Sequence, residues 1–401
     1  MAEKACSPGF CLWPTAKLGD VVELLDHKRV PLNANQRQDR PGPYPYYGAQ
    51  GVIGYIDDFL FAGRYILVAE DGENLHSRKL PLALLATGKF WVGNHAHVLA
   101  ARPEAVDDGF LLACLNCADI RALITGAAQP KLSQANLRLI DVPLPPLPMQ
   151  RHIASILSAH AELIANCQRR IQVLQEMARR LYEEWFERFR FPGHAAVPQV
   201  DSVLGAIPQG WEVGRLQDVV VLQRGYDLPK GKRTDGRVPV YAATGVVGRN
   251  DAAKAKAPGL VTGRSGTIGQ VFYVQEDFWP LNTVLWARAF PRSEPLYAYF
   301  LLRALGLEQL GSGAAVPTLN RNDIHGLQVL IPPPSLQQRF QREAGSLMAQ
   351  VRVLELRARS LRRSRDLLLP RLVSGLLRLD ATLVPISGDV DDEVKYLDGE
   401  R

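Results

Sequence analysis

The sequence predicts an α+β protein in which two similar domains are joined by an antiparallel pair of long coiled-coil helices, as an internal pseudo-two-fold repeat. Three observations support this fold class. A heptad pattern of apolar residues occurs twice, short motifs recur in the same order before each pattern, and each set of motifs contains strand-like runs followed by one helical run. Two matched apolar seams in one chain are natural partners, because either seam alone would leave a long apolar stripe in water.

The domain boundaries follow from where the composition changes along the chain. Each domain has short β-type runs with glycine turns, then a helical run, and ends in a proline-rich segment that cannot continue a strand ladder. The predicted parts are a first domain over 13–148, a first long helix over 149–190, a linker over 191–210, a second domain over 211–334, a second long helix over 335–379, and a loosely ordered acidic tail over 380–401.

The two long helices are predicted from apolar residues that recur at alternating steps of four and three, which is the spacing of a coiled-coil seam. His160 and Cys167 are the less apolar members of the first seam, and Arg365 interrupts the apolar pattern of the second seam. A coiled coil that only dimerises would show the same spacing, but the repeat within one chain favours an intramolecular pair. The seam residues are Ile153, Leu157, Ile164, Ile171, Leu174, Leu181, Phe340, Leu347, Val351, Leu354, Leu361 and Leu368.

The repeat extends beyond the helices into the domains, which indicates two copies of one plan. The matched segments are Trp13 with residues 18–22 and Trp211 with residues 216–220, residues 47–54 and 241–248, Asn94 and Asn282, and residues 126–133 and 313–320.

Charge and composition indicate a soluble, cytoplasmic protein with an anionic partner. The net charge is +6, the second long helix is rich in arginine, and the last residues are acidic, so the body of the chain is basic. Nucleic acid is the first candidate partner, although a solvated helix face would show the same charges. No apolar run approaches the ~20 residues of a membrane span, and the first residues lack the layout of a signal peptide. The five cysteines are expected to be reduced thiols.

The order of these motifs resembles the specificity subunit of type I restriction-modification systems. The resemblance rests on the opening tryptophan with LGDVV, the GAAxPxL turn, the PPLPxQ or PPSxQ segment before each long helix, and the closing DLLLPRLVSGLLRL. It covers about residues 13–379, and the first twelve residues and the acidic tail depart from it.

The resemblance implies a subunit without catalysis of its own, which reads a bipartite, asymmetric double-stranded DNA target. It also implies two methyltransferase subunits that bring S-adenosylmethionine, and restriction motor-nuclease subunits that bring ATP and Mg²⁺. The helix pair would then set the spacing between the two half-sites. Inserting seven residues at matched positions of both helices should lengthen the spacer by about 10 Å.

The sequence contains little that indicates a catalytic site. A GxxxxGK[ST] loop and the NPPY or DPPY tetrapeptide of amino-methyltransferases are both missing. The glycines of residues 263–269 lie between two β-type runs rather than before a helix, which disfavours a dinucleotide site. The histidines at 95 and 97, or a zinc site at Cys6, Cys11, Cys114 and Cys117, would have metal-ligand spacing, but each lacks a supporting set, so no metal is expected. A self-contained DNA-modifying or DNA-cleaving enzyme with an unrecognised site and a structural coiled-coil scaffold are the alternatives.

Candidate DNA contacts lie in the polar turns of the two domains, where basic, amide and aromatic side chains are concentrated. In the first domain they are Tyr46, Tyr47, Gln50, Arg64, Asn74, His76, Arg78, Lys79, His95, Lys131 and Gln134. In the second domain they are Arg224, Tyr226, Lys230, Lys232, Arg233, Arg264, Ser265, Thr267, Thr318, Asn320 and Arg321.

The densest basic loop is residues 224–237, which we expect to touch phosphate or a groove, although a solvated surface loop would have the same composition. Positions that differ between the copies are the better candidates for specificity. They are Gln50 against Thr244, Asp71 against Ser265, and Lys131 against Thr318.

Overall fold

A computed structural model describes residues 11–126, 129–311, 318–377 and 379 of the 401-residue chain. The predicted acidic tail and Cys6 lie outside these residues, as does part of each GAAxPxL turn. The chain forms two compact units. The first unit comprises Met1–Ala165 with Arg359–Arg401, and the second unit comprises Asn166–Ala358.

The first unit contains the first domain and the beginning of the first long helix. Its elements are β1 (Thr15–Lys17), α1 (Leu18–Val21), β2 (Val22–Leu24), α2 (Ala34–Gln38), β3 (Tyr44–Gly48), β4 (Gly51–Ile56), β5 (Phe61–Ala69), α3 (Asn74–Ser77), β6 (Ala83–Val92), β7 (Ala96–Ala101), α4 (Asp108–Cys117), α5 (Gln134–Arg138), β8 (Asp141–Pro143) and α6 (Leu147–Tyr182), the last of which continues into the second unit.

Six strands of the first unit form one sheet in the order β2-β7-β5-β6-β3-β4. Every neighbouring pair is antiparallel except β3 and β6, which run parallel at Tyr46–Trp91 and Tyr47–Val92. The first and last strands of the domain, β1 and β8, pair separately and antiparallel, from Thr15 opposite Pro143 to Lys17 opposite Asp141. The domain therefore begins and ends at one two-stranded ribbon, from which the long helix departs.

The second unit repeats this plan after a short hairpin. Its elements are β9 (Gln199–Ser202), β10 (Gly205–Pro208), β11 (Glu212–Arg215), α7 (Leu216–Val219), β12 (Val221–Arg224), β13 (Val238–Ala242), β14 (Gly245–Asn250), β15 (Gly259–Gly263), β16 (Val271–Val274), β17 (Trp279–Pro280), β18 (Val284–Ala289), α8 (Pro295–Ala304), α9 (Arg321–His325), β19 (Gln328–Ile331) and α10 (Pro334–Val373), the last of which continues into the first unit.

The strand order of the second unit follows that of the first, but its strands form two sheets instead of one. Strands β12-β18-β15-β16 form an antiparallel sheet, and β14-β13-β17 form a second sheet with one parallel pair at Val240–Trp279. The ribbon of β11 and β19 corresponds to that of β1 and β8. Both copies also carry a register shift at the same tyrosine, Tyr47 in β3 and Tyr241 in β13. The fold is thus α+β with an internal repeat, as the sequence predicts.

Within the second unit the end of α6 packs antiparallel against the start of α10. Phe340 is fully buried, and its ring lies 6.2 Å from Tyr182, 5.9 Å from Trp185 and 4.9 Å from Phe186, measured between centroids. Such aromatic pairs add to the free energy gained from burial alone. This aromatic group extends to Phe300 of α8, so the domain core and the helix pair form one hydrophobic cluster.

Within the first unit the start of α6 packs against the end of α10. Ile153 and Leu157 belong to the same hydrophobic cluster as Leu368, Leu372 and Val373, together with the domain core. All twelve predicted seam residues are buried or partly buried.

One glutamine in each copy joins the domain to its long helix. Gln150 is 1% exposed; its side-chain oxygen accepts from the N–H of Asp107, and its Nε2 donates to the carbonyls of Ala105 and Pro145. Gln337 is also 1% exposed and makes the equivalent bonds, accepting from the N–H of Glu294 and donating to two carbonyls. The glutamine that recurs in the PPLPxQ and PPSxQ segments therefore makes an equivalent buried polar contact in both copies.

The observed helices differ from the predicted ones at their ends. The first helix spans Leu147–Tyr182 and continues as a π-helical turn over Glu183–Glu187, rather than spanning 149–190. The second ends at Val373 rather than at 379, because Gly375 adopts a left-handed conformation (φ 79°) against the Trp13 ring, a common way to end a helix. The predicted linker over 191–210 contains the β9–β10 hairpin.

Helices α6 and α10 are the long helices of the described chain, and no helix in these segments is both long and apolar enough to cross a membrane.

Candidate nucleic-acid interface

In each domain, three chain segments meet just after the central strand and are joined by equivalent backbone hydrogen bonds. We call this arrangement the backbone frame. In the first domain the N–H of Glu70 donates to the carbonyl of His95 (3.0 Å), and the N–H of Leu132 donates to the carbonyl of Glu70 (2.8 Å). Asp71 and Lys131 lie opposite each other as an isolated β-bridge. This frame follows β5 and precedes β7 and α5, so it is held by regular structure on each side.

The second domain repeats the frame with the same bonds. The N–H of Arg264 donates to the carbonyl of Thr283 (2.9 Å), and the N–H of Leu319 donates to the carbonyl of Arg264 (2.8 Å). Ser265 and Thr318 form the equivalent β-bridge. The structure thus brings together, in each domain, two positions that the sequence singled out because they differ between the copies.

The side chains on the two frames differ in charge. We define the first cluster as Glu70, Asp71, His95, Lys131 and Gln134, and the second cluster as Arg264, Ser265, Thr283, Thr318 and Arg321. Glu70 of the first cluster corresponds to Arg264 of the second, and Asp71 corresponds to Ser265. Each carboxylate of the first cluster is therefore replaced by a guanidinium or a hydroxyl in the second. One backbone with two different polar surfaces is the arrangement expected of two recognition sites for different ligands.

The exposed members of the first cluster are paired through carboxylates. His95 Nδ1 lies 2.7 Å from Asp71 Oδ2, and Lys131 Nζ lies 3.2 Å from Glu70 Oε1. Gln134, at the first position of α5, donates to Asp26 Oδ2 at 3.4 Å. These side chains offer both donors and acceptors toward solvent, and the edges of DNA bases recognise both types.

An ionic network of buried and partly buried side chains continues inward from Glu70 of the first cluster. His97, which is 2% exposed, has Nδ1 2.6 Å from Asp26 Oδ2 and Nε2 2.8 Å from the carbonyl of Leu132. Arg29 Nη1 donates to Glu70 Oε2 (2.8 Å) and to the carbonyl of Ala96 (2.7 Å), and its Nη2 lies 3.4 Å from Asp26 Oδ2.

The network keeps both of its carboxylates ionised. Burial by itself would raise the pKa of Asp26, but hydrogen bonds from His97 and from the N–H of Val98 bring that pKa below its ordinary value. Burial acts in the same direction on Glu70, and its pKa is also lowered, by the hydrogen bond from Arg29 and by the charge of His97. Two anions are therefore held in place by cations of the same domain.

The second cluster lies beside the basic loop over residues 224–237. Arg264 Nη1 approaches the carbonyl of Asn282 at 3.5 Å, and Asn320 caps α9 so that the exposed Arg321 begins that helix. In the loop, Lys230 and Lys232 are exposed on a short 3₁₀ turn, and Arg224 is exposed at the end of β12.

An aromatic group lies under the same loop. The Tyr226 ring lies 6.5 Å from Trp279 and 6.3 Å from Trp286, and Lys254 Nζ lies 5.4 Å from the Trp279 centroid. This packing holds Tyr226 in place, so the loop leaves the sheet at a defined point. A basic loop anchored by an aromatic residue is suited to contact with phosphates.

Three predicted candidates have structural roles instead. Asn74 is 5% exposed, and its amide bonds the N–H of Leu80 and the carbonyls of Leu80 and Pro81. Tyr46 is 2% exposed, and its hydroxyl accepts from the N–H of Leu32. Arg78 donates to the carbonyl of Asn116, and burial lowers the pKa of its guanidinium. Asn74 and Tyr46 are buried and Arg78 is partly buried, and their hydrogen bonds to backbone groups hold the chain segments around them.

Two other candidates are held by partners at the surface. Arg64 donates to Asp108 at 2.8 and 3.2 Å, a contact that raises the pKa of Arg64, and Arg233 donates to the carbonyl of Val247. The remaining candidates are exposed or partly exposed, with Tyr47 in β3, His76 in α3, and Gln50, Lys79 and Thr267 in turns or bends. Tyr47 also lines a cavity of about 440 Å³ together with His95 and Arg37.

Sequence reasoning missed Asp26, Arg29 and Glu70 as parts of the site, and it placed His97 only in a possible metal site. The repeat could have identified Glu70, because this residue aligns with Arg264 and so also differs between the copies. It directly precedes Asp71, whose difference from Ser265 the sequence analysis used. Among the described residues, no group of three or more potential metal ligands comes together. The glycine-rich residues 263–269 join β15 to β16.

Comparison with known proteins agrees with this repeated architecture. The family model of the type I restriction modification DNA specificity domain matches residues 12–176 and 208–342. The putative type I restriction enzyme specificity subunit S.HindORF215P of Haemophilus influenzae is 24% identical over 344 residues, which cover 80% of this chain and 84% of that protein. The type I restriction enzyme MjaIX specificity subunit of Methanocaldococcus jannaschii is 27% identical over 279 residues, covering 64% of this chain and 65% of that protein.

A solved structure shares the fold. The crystal structure of the type I restriction-modification S subunit from M. genitalium superposes with a TM-score of 0.63 at 17% identity, covering 93% of this chain and 99% of that chain. With two matched segments that make up about three quarters of its length, this chain belongs to the family of type I restriction-modification DNA specificity proteins.

Proposed function

We propose that this chain is the DNA-sequence-specificity subunit of a type I restriction-modification complex, and that each domain reads one half of a bipartite, asymmetric target. The observation that supports this most is the shared backbone frame with opposite side chains, Glu70 and Asp71 in one copy and Arg264 and Ser265 in the other. A carboxylate accepts from the amino group of cytosine, whereas a guanidinium donates to guanine. Two such sites would prefer different bases, which makes the target asymmetric.

The chain would recognise DNA without catalysing a reaction itself. Among the described residues, no group of three or more histidine, cysteine, aspartate or glutamate side chains is arranged to hold a metal ion. Methyl transfer and cleavage would come from partner subunits, two methyltransferases with S-adenosylmethionine and a motor-nuclease with ATP and Mg²⁺, in the cytoplasm. A purified chain incubated alone with DNA, S-adenosylmethionine and Mg²⁺ should show neither methylation nor cleavage, and turnover without partners would support the enzyme alternative.

A selection from random-sequence DNA tests the recognition role. The full chain with its methyltransferase partner is incubated with a pool of duplexes randomised over about three helical turns, ~30 base pairs. Bound duplexes should contain a two-part consensus with a non-specific spacer, and a pool without such a consensus would refute the proposal.

One substitution should alter half of the consensus. In Arg264→Gln the partly buried guanidinium of the second cluster is replaced by an amide, so base preference should relax in one half by about 1–3 kcal/mol per affected base pair. Arg121→Gln is the matched control, because Arg121 is an exposed arginine already paired with Asp119. It should leave both halves unchanged.

A further inference from the structure

The two domains differ in net charge although the strand order of one follows that of the other. Residues 13–148 contain 13 lysines and arginines against 14 aspartates and glutamates, a net charge of −1. Residues 211–334 contain 14 lysines and arginines against 10 aspartates and glutamates, a net charge of +4. The second domain is therefore the stronger of the two sites for an anion.

One segment of the second domain carries an excess as large as that of the whole domain. Residues 224–254 run from the end of β12 through the basic loop to the residues after β14, and they contain seven lysines and arginines against three aspartates, a net charge of +4. Tyr47 and Tyr241 lie at the equivalent register shifts of β3 and β13. With these tyrosines aligned, the corresponding residues 30–60 contain two arginines against three aspartates, a net charge of −1.

Both arginines of residues 30–60 are engaged within the first domain. Arg40 Nη2 lies 2.9 Å from Asp57 Oδ1, and Arg37 Nη1 donates to the carbonyl of Leu32 at 2.6 Å. Both side chains are partly buried. This segment therefore has no fully exposed cation to offer an external anion.

The cations of residues 224–254 are in the opposite situation. Among the described residues, the lysines and arginines of the second domain that form ion pairs with that domain's carboxylates are Lys256, with Asp277, and Arg292, with Glu212, and both lie outside this segment. Six cationic side chains of the segment are exposed and keep their charge for an external anion. We call them the basic surface, and they are Arg224, Lys230, Lys232, Arg237, Arg249 and Lys254.

Hydrogen bonds between the basic loop and the β13–β14 hairpin hold the basic surface together. The N–H and the hydroxyl of Thr234 both donate to Asn250 Oδ1, each at 3.1 Å, and Arg249 Nη1 donates to the carbonyl of Arg237. Asn250 is 3% exposed, so this joint lies inside the domain. The loop and the hairpin therefore present their cations together.

The basic surface adjoins the second cluster through Asn282. The side-chain amide of Asn282 donates to Asp227 of the basic loop, and its backbone carbonyl lies 3.5 Å from Arg264 Nη1. Lys254 Nζ lies 5.9 Å from the ring of Tyr226, which directly precedes Asp227 in the loop. A duplex held by the basic surface would thus lie beside the residues that read its bases.

We propose that the basic surface is this chain's site for sequence-independent binding to the phosphates of duplex DNA, so that the second domain engages DNA before the first domain reads its half-site. The inference rests on the proposed function and adds an order of events to it. Phosphate contacts require no particular base, so such a surface holds DNA of any sequence. The corresponding segment of the first domain has a net charge of −1 and contributes little to this step.

Acetylation of lysine side chains, read by mass spectrometry, tests where DNA of arbitrary sequence binds. The full chain is labelled at about 50 mM salt with and without a duplex of ~30 base pairs that lacks the selected consensus. Lys230, Lys232 and Lys254 should lose most of their reactivity, whereas the exposed Lys28 and Lys89 of the first domain should not change. Equal protection of both domains, or no protection in the second, overturns the inference.

Lys131 of the first cluster reports the order of engagement. With the non-specific duplex this exposed lysine should stay reactive. With a duplex that carries the selected consensus, it should be protected together with the lysines of the basic surface. Protection of Lys131 on both duplexes, or on neither, contradicts the proposed order.

A variant of the basic surface measures its phosphate contacts. The variant Lys230→Gln, Lys232→Gln and Arg237→Gln removes three exposed cations of the basic loop. For the non-specific duplex, the slope of log affinity against log salt should become shallower by about 2–3, since each lost phosphate contact is worth about 0.9. The urea midpoint of unfolding should stay close to that of the unaltered chain, because the changed side chains lie at the surface.

Two matched controls remove three exposed arginines or lysines elsewhere, and each should change the slope by less than about 1. A change in either control as large as that of the basic-surface variant refutes the inference. The first-domain control is Lys89→Gln, Arg102→Gln and Arg138→Gln, and the helix control on α10 is Arg357→Gln, Arg359→Gln and Arg363→Gln.

The non-specific duplex separates this inference from the proposed function. If the selection yields a two-part consensus but the lysines of the basic surface remain reactive on non-specific DNA, the inference fails and the proposed function stands. If the selection yields no two-part consensus, the proposed function fails, whatever the acetylation pattern shows.

Discussion

Replacing Phe340 by alanine should strongly destabilise the second unit. The ring is fully buried at the start of α10 and lies within 6.2 Å of the rings of Tyr182, Trp185, Phe186 and Phe300. A buried Phe→Ala change costs about 3–5 kcal/mol, and the loss of several aromatic pairs places this one at about 4–5 kcal/mol. Phe340→Leu keeps most of the volume and should cost about 1.5 kcal/mol.

Urea unfolding followed by tryptophan fluorescence measures this loss. With a dependence of about 3 kcal/mol per M, the midpoint of the second unit should fall by about 1.5 M for Phe340→Ala. Hydrogen exchange read by mass spectrometry then assigns the change, because protection should fall first within Asn166–Ala358. The control is Val353→Ala on the same helix, where the side chain is 64% exposed and the change should stay within about 0.5 kcal/mol.

The reasoning would be refuted if Phe340→Ala lowered the midpoint no more than Val353→Ala. It would also fail if protection were lost mainly in the first unit. Either result would mean that the aromatic cluster is not what joins the helix pair to the second domain.

Three further outcomes are expected. Gln337→Leu should destabilise the second unit by about 2–4 kcal/mol in urea unfolding, because one N–H and two carbonyls lose their partner, whereas the exposed neighbour Gln338→Leu should have little effect. Lys230→Ala with Lys232→Ala should reduce the slope of log affinity against log salt by about 0.9 for each lost phosphate contact, measured by DNA binding over a salt series; an unchanged slope would remove the turn from the interface. Folding lowers the pKa of Glu70, so the stabilisation from its carboxylate is present above the ordinary pKa of 4.5 and is lost as the pH falls through the lower folded value. Glu70→Gln should therefore make the free energy of unfolding fall less steeply with decreasing pH in the acid range. An unchanged acid dependence in the variant would contradict this.

The sequence was sufficient for the elements that depend on periodicity. The spacing of apolar residues from Ile153 and from Phe340 predicts both long helices, because a helix repeats its face every three to four residues. The repeat also singles out Asp71 and Lys131 as positions that differ between the copies, but that the two lie opposite each other is a finding of the structure.

The ionic network could not be predicted, because its members share no spacing. Asp26, Arg29, Glu70 and His97 come from three separated segments, and only the folded sheet brings them within hydrogen-bond distance. Asn74 was a candidate DNA contact because its side chain is polar, but that side chain hydrogen-bonds the backbone of a neighbouring loop instead of facing solvent. A residue's chemistry suggests what it can bind, but its burial decides which partner it meets.

The division of the chain into units has a consequence for synthesis on the ribosome. The second unit is one continuous stretch, Asn166–Ala358, whereas the first is assembled from segments on both sides of it. Ile153 stays without Leu368, Leu372 and Val373 until the last part of α10 has been translated. The unit that begins the chain is therefore expected to be completed last, and the nascent chain exposes its apolar helix face for longest on that unit.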